Sequence, residues 1–184
     1  VGKTTTKEFI ALVLSAKYNT LKTQGNLNNE IGVPQMLFRL EDSHTAAVIE
    51  MGMNHFGEIS RLTRAVAPTV GLITNIGVSH IENLGSRAGI LQAKLEILEG
   101  MAPDAPLIVN MDNDMLRTVK LGDRPLLTFA IDDQSADFTA TDIAEQGSTT
   151  TFTVHHSTFN QPVTIPTVGI PVSYTHLRAH ETVL

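Results

Sequence analysis

The chain has 184 residues, an apolar share of 42%, a formal net charge of −6 and no cysteine. That length sets one domain of ordinary size as the expectation, with enough apolar residues to fill a core. The acidic balance offers no footprint for a nucleic acid, the lack of cysteine excludes disulfides and thiolate metal sites and fits a reducing compartment, and no apolar run approaches the roughly 20 residues that span a bilayer.

The elements follow in chain order. Residues 5–18 read as a helix with Phe9, Ile10, Leu12, Val13, Leu14 and Ala16 as its apolar members. Residues 45–51 form a short buried strand. Residues 57–67 read as a second helix, with Ile59, Leu62, Ala65 and Val66 on one face and Pro68 beyond its end. A strand at 70–74 follows, then the clearest helix, residues 86–101, stopped by Gly100 and Pro103. Strands at 106–110 and 126–130 flank a short helix at 115–121. Strands alternating with helices predict an α/β fold with a mostly parallel sheet and flanking helices. After Asp137 short strands at 149–154 and 162–166 predict a small antiparallel appendage. Residues 171–182 follow no period of 2 or 3.6. We therefore expect residues 1–170 to form the domain and 171–184 to be a non-native tail.

The chain opens on Val1-Gly2-Lys3-Thr4, the end of a phosphate loop of pattern G-x-x-x-x-G-K-[ST]. The first glycine and the strand that carries it are absent, so the chain is expected to be a fragment. Lys3 is a point charge for β- and γ-phosphates, the Thr4 hydroxyl a magnesium ligand, and Gly2 and Thr5 complete the turn. Backbone N–H groups at the helix start favour the anion. Lys7, one turn further on, is expected to matter little.

In an open parallel sheet, ligands bind beyond the carboxyl ends of the strands. Glu50 ends one apolar strand, where a carboxylate is costly to bury unless it is paired or binds a cation. It is a magnesium-ligand candidate; the alternative is a cap on the next helix. Asn54 and His55 follow it. Asn75 and His80 follow the next strand, and His80 reads either as a ligand or as an ordinary loop residue. Lys94 lies on the 86–101 helix and reads either as a site residue or as a solvated partner of Glu96 or Glu99. Asn28 and Asn29 lie in an amide-rich loop that reads either as turn chemistry or as polar-substrate recognition.

Four stretches stand in one order: Gly2-Lys3-Thr4-Thr5-Thr6-Lys7-Glu8; Gly25-Asn26-Leu27-Asn28-Asn29-Glu30-Ile31-Gly32-Val33-Pro34; Glu50-Met51-Gly52-Met53-Asn54-His55-Phe56-Gly57-Glu58-Ile59; and Thr74-Asn75-Ile76-Gly77-Val78-Ser79-His80. Together they resemble the central ATPase domain of the Mur ligases, over about residues 1–170. The N-L-N-N loop is most like the member that joins D-alanyl-D-alanine to UDP-MurNAc-tripeptide; folylpolyglutamate synthases share the phosphate loop but not that loop.

The resemblance implies a P-loop-type central domain in a three-domain, cytoplasmic, monomeric parent enzyme without membrane insertion. It implies ATP and Mg2+ as cofactors, with UDP-MurNAc-tripeptide and D-alanyl-D-alanine as substrates. An acyl phosphate forms on the tripeptide carboxylate and the amine of the dipeptide attacks it. One magnesium is implied at Thr4 and Glu50 and a second at His80. Lys94 is implied to be carbamoylated, so that its new carboxylate helps hold the second metal. Lys3, Lys94 and His80 are then the catalytic set, Gly2, Lys3, Thr4, Thr5 and Asn75 the nucleotide contacts, and Asn28, Asn29, Asn54 and His55 the substrate contacts. The family's adenine-contacting His-Asn pair is replaced here by Pro171-Val172. Two other readings remain open: another Mur-type or folylpolyglutamate-type ATP-dependent ligase, and an inactive nucleotide-binding module.

Overall fold

The structure is a computed structural model that describes residues 2–166. The expected tail at 171–184 and the last residues of the expected domain lie outside these.

Helix α1 (Lys3–Ser15) opens the fold. It packs against β1 (Thr20–Lys22) and β2 (Ala46–Val48), which pair in parallel. The short helix α2 (Gly32–Leu37) lies between those strands in sequence. Helix α3 (Glu58–Val66) leads into β3 (Gly71–Ile73), and α4 (Ile81–Leu84) and α5 (Arg87–Leu95) follow. The parallel set continues with β4 (Leu107–Asn110) and β5 (Leu126–Ala130). Then come β6 (Phe138–Gln146), β7 (Thr149–His156) and β8 (Phe159–Ile165).

The sheet of six strands runs β3-β4-β5-β6-β7-β8, parallel through β6 and antiparallel beyond it. The expected appendage is therefore the continuation of the main sheet rather than a separate unit. β6 bridges the two regimes. It pairs in parallel with β5 at Phe138 and Thr139 and antiparallel with β7 along its length, with a bulge between Thr141 and Ala144. Asp142 takes a positive φ of 54° at that bulge, the local kink a bulge needs. Among the described residues β2 pairs only with β1, and β3 only with β4.

Side chains divide across the sheet by strand alternation. Leu107 and Val109 join Ile59, Leu62, Ile90 and Ile97 under α3 and α5. Ile108 faces the other way, with Phe129, Phe138, Phe152 and Val154. All four residues of β4 are buried, as a parallel strand covered on both faces requires. A third cluster joins Ile10 and Leu14 of α1 to Ala46, Val48 and Leu72, so α1 touches strands of both sheets.

The helix expected at 86–101 is present in two parts. Ser86 caps α5 by accepting from the Gly89 N–H at 3.1 Å. The chain then tightens into a 3-10 turn over Glu96–Gly100. Gly100 does more than end it. A Cβ there would lie 2.2 Å from the Thr63 carbonyl carbon and oxygen, so this segment meets α3 at backbone distance. The buried Thr63 hydroxyl seals the contact by donating to the Ile97 carbonyl at 2.7 Å. The helix expected at 115–121 is only a 3-10 turn, Leu116–Thr118.

The backbone contact at Gly100 carries a stability consequence. Gly100→Ala should destabilise the chain by about 1–3 kcal/mol, the usual range for overpacking. Each kcal/mol should lower the thermal midpoint by about 2–4 °C at this size. An unchanged midpoint in a calorimetric scan would show that α3 can retreat without loss.

Candidate functional site

The Gly2-Lys3-Thr4 stretch sits where α1 begins. Gly2 is the N-cap, with φ 83° and ψ −4°, a left-handed conformation open to glycine at no steric cost. Its carbonyl accepts from the Thr6 N–H at 2.9 Å and the Thr6 hydroxyl at 2.7 Å. Lys3 is half-buried, whereas Thr4 and Thr5 are exposed at the helix start.

Lys94 is not a solvated partner of Glu96 or Glu99. Its ammonium donates to the Asn75 carbonyl. Glu96 instead accepts from the Gly57 N–H at 2.8 and 3.0 Å and from the Ser60 N–H at 3.2 Å, capping α3. Glu99 binds the Ser60 hydroxyl and Arg64. Burial, with the Lys3 charge as a smaller cause, pushes the Lys94 ammonium down to about 8. Lys3 itself stands at the start of α1, where the helix N–H groups add further positive potential. That arrangement fits a polyanion.

Asn75 and Ile76, at the carboxyl end of β3, are braced from three sides. Besides Lys94, the Asn113 amide reaches the Asn75 side-chain oxygen at 3.5 Å and the Ile76 carbonyl at 3.3 Å. Arg87 donates to the Ile76 carbonyl at 2.9 Å and forms a two-pronged pair with Asp114. His80 follows as the N-cap of α4, half-buried, with φ 66°. A left-handed histidine is an uncommon conformation and points to a local constraint. No hydrogen bond ties its ring to Lys94 or Glu50 among the described residues.

Glu50 lies at the end of β2 and is 7% exposed. One carboxylate oxygen, Oε1, accepts from the Asn28 amide at 2.8 Å. The other, Oε2, is fully buried and has no hydrogen-bond partner. A buried, unpaired carboxylate oxygen is costly, and a cation relieves that cost. Among the described residues no three His, Cys, Asp or Glu side chains gather. A cation at Glu50 would take its other ligands from hydroxyl, phosphate and water oxygens, the habit of magnesium. The Glu50 backbone is fixed as well, its N–H donating to the Thr23 hydroxyl at 2.8 Å.

The remaining expected residues have structural partners. Asn29 Oδ1 accepts from the Ile31 and Gly32 N–H groups at 3.1 and 2.8 Å, which caps α2. The Asn54 N–H donates to Glu58 at 2.7 Å, and the exposed His55 ring lies 3.2 Å from the same carboxylate.

Sequence reasoning missed Lys7. It is 3% exposed, and its ammonium donates to the Thr23 carbonyl at 2.7 Å and pairs with Glu8 at 2.9 Å. The signal was available, because Lys7, Ile10, Ala11 and Leu14 share the buried stripe of α1. Asn113, Arg87 and Asp114 were also missed, and no local pattern marks them. A shallow concavity lined by Pro103, Asp104, Leu121, Asp123, Arg124 and Pro125 lies before β4 and β5. It is at the amino ends of the strands, away from these groups.

Lys94 gives the site a pH signature. Below about pH 8 the folded and unfolded chains both carry the proton, and the folded state bears the full burial cost. Between there and the ordinary 10.5, the unfolded chain binds more protons, so stability should rise with pH. The gain is about 3 kcal/mol at most. Urea midpoints across this window should climb in the native chain and flatten in Lys94→Met. Parallel profiles would mean that Lys94 titrates as a solvated lysine.

The Mur ligase middle domain family matches residues 1–174. The chain is 41% identical over 170 residues to UDP-N-acetylmuramoyl-tripeptide–D-alanyl-D-alanine ligase of Escherichia coli (strain K12), covering 91% of this chain and 38% of that one. Among solved structures, MurF from Acinetobacter baumannii superposes with a TM-score of 0.91 at 35% identity, covering 98% of this chain and 40% of that one. MurF ligase from Thermotoga maritima in complex with ADP gives 0.87 at 26% identity, covering 97% and 42%. The chain thus spans about two fifths of the length of these relatives. By the family match over residues 1–174 and this identity, the chain belongs to the Mur ligase middle domain family.

Proposed function

We propose that residues 1–170 are the ATP-binding module of a cytoplasmic, monomeric ligase that joins D-alanyl-D-alanine to UDP-MurNAc-tripeptide in peptidoglycan synthesis. The observation that carries this reading is the start of α1, where the left-handed Gly2 cap is followed by Lys3 and Thr4, joined to the relatives' names. A nucleotide triphosphate supplies the anion that such a helix start favours, and Gly2-Lys3-Thr4 is the motif that cradles it.

The reaction moves the γ-phosphoryl group of ATP onto the tripeptide carboxylate and releases ADP. The dipeptide amine then attacks the acyl carbon, an amide bond forms, the carbon–oxygen bond to phosphate breaks, and the amine loses a proton. Both steps crowd negative oxygens together. Lys3 holds its charge against the transferring phosphoryl, where it counts most in the transition state. Gly2, Thr4 and Thr5 offer backbone N–H groups to the phosphates, and Asn75 borders the nucleotide. Thr4 and Glu50 would hold one magnesium ion and His80 a second, and magnesium supplies positive charge that offsets the phosphate oxygens. Asn28, Asn29, Asn54 and His55 lie on loops that could face the peptide substrate. Lys94, carbamoylated, would add a carboxylate to the second ion. Its lowered proton affinity suits this, since carbamoylation requires the neutral amine.

Four measurements test the reading. ADP binding to the chain, followed by calorimetry, should weaken at least about tenfold in Lys3→Ala with the thermal midpoint retained. In the intact ligase the same substitution should slow acyl-phosphate formation by about 10²–10³. Lys7→Ala should do the reverse, costing about 1–3 kcal/mol of stability by stranding the buried Thr23 carbonyl. Equal effects from both variants would contradict the assignment of Lys3. A carbamate carbon signal should appear in native protein supplied with 13C-bicarbonate and vanish in Lys94→Ala; its absence from the intact ligase would remove Lys94 from the metal site.

A further inference from the structure

We propose that Asn28 is a specificity-determining residue of the Glu50 cation site, fixing the carboxylate as a one-oxygen ligand and so favouring magnesium over calcium. The inference rests on the reading of Glu50 as a cation ligand.

The argument starts from the two oxygens of Glu50, which differ. Oε1 is occupied by the Asn28 amide at 2.8 Å, whereas Oε2 is buried without a partner. A carboxylate with one oxygen committed to an amide donor offers a cation only the other. Magnesium accepts that readily, because it takes near-octahedral geometry from single oxygens and keeps several waters. Calcium takes six to eight oxygens and commonly draws both from one carboxylate. An amide on Oε1 therefore costs calcium a ligand and magnesium nothing.

Asn28 is itself held firmly. Its backbone carbonyl accepts from the Gly52 N–H at 2.6 Å, and its own N–H donates to the Asn26 carbonyl at 2.7 Å. The loop is thereby pinned to the segment just beyond Glu50. Gly52 permits this approach, since a Cβ there would lie 3.2 Å from the Asn28 side-chain oxygen. On the other side the Glu50 N–H is tied to the Thr23 hydroxyl. Both the carboxylate and the amide that blocks it are set by the fold. Asn28 acts through Glu50 and is a positioning residue with no contact to the cation required.

The test titrates magnesium and calcium chloride separately into the 184-residue chain holding ADP, and reads affinity by calorimetry. The native chain should prefer magnesium by about tenfold or more, and Asn28→Ala should bring the two affinities within about threefold by raising that of calcium. Asn28→Asp keeps the volume but removes the donor, and should shift preference toward calcium as well; it stands in if Asn28→Ala fails to fold. A merely structural role would weaken both cations alike and leave their ratio unchanged, which would overturn the proposal. Glu50→Gln separates the two levels. If it abolishes cation binding while the Asn28 variants keep the native ratio, the cation reading stands and the role of Asn28 falls. If Glu50→Gln, or the native chain itself, shows no Glu50-dependent binding, both fall.

Discussion

The site depends on one buried charge, the Lys7 ammonium donating to the Thr23 carbonyl. A lysine that deep must be matched by acceptors or it destabilises the fold. Thr23 and Glu8 provide them. The bond fixes the rotation of α1 about its own axis. Lys3 lies four residues earlier, on the same face of the helix. With the rotation set, the face that carries Lys3 is set as well. Thr23 links this anchor to Glu50, because its carbonyl serves Lys7 and its hydroxyl serves the Glu50 N–H. One residue thus sets the spacing between the cationic and the anionic parts of the site.

Those parts are each locally unfavourable. Burial, with the Lys3 charge as a smaller cause, pushes the Lys94 ammonium down to about 8. A carboxylate oxygen is buried without a donor. His80 holds a left-handed backbone. Each raises the energy of the folded chain, and a cation would relieve the unpaired oxygen of Glu50. The packed elements around them supply the compensation: β4 is buried on both faces, and α3 and the Glu96–Gly100 turn meet at backbone distance. Local strain carried by a well-packed base is the pattern of a functional site.

Much of this was legible in the sequence. The helices at 5–18, 57–67 and 86–101 were found, though β6, the longest strand, was not, and the strand-end rule brought attention to Glu50, Asn75 and His80. The misses have physical causes. β1 is only three residues and carries no alternation to detect. α2 begins at a glycine and contains Pro34, so it reads as loop; its start depends on the Asn29 cap, a contact that looks like turn chemistry. The continuity of β6 with the parallel strands was invisible because pairing across β5 is a tertiary fact. The anchoring role of Lys7 was not read, because its partner, the Thr23 carbonyl, lies 16 residues away in sequence. Arg87, Asn113 and Asp114 are ordinary surface types whose role exists only once β3 and β4 lie side by side.

The unshared edges of β2 and β3 have a consequence for how this chain behaves in company. Each strand presents unpaired N–H and C=O groups on one side, among the described residues. β2 is Ala46-Ala47-Val48, with Ala47 exposed and no charge in the strand to repel a visitor. An uncharged, apolar edge is a template for another extended chain. We therefore expect the isolated protein to self-associate through strand pairing as concentration rises, and a lysine in place of Ala47 to suppress it. Light scattering that stays flat with concentration in the native chain would show that these edges are already protected.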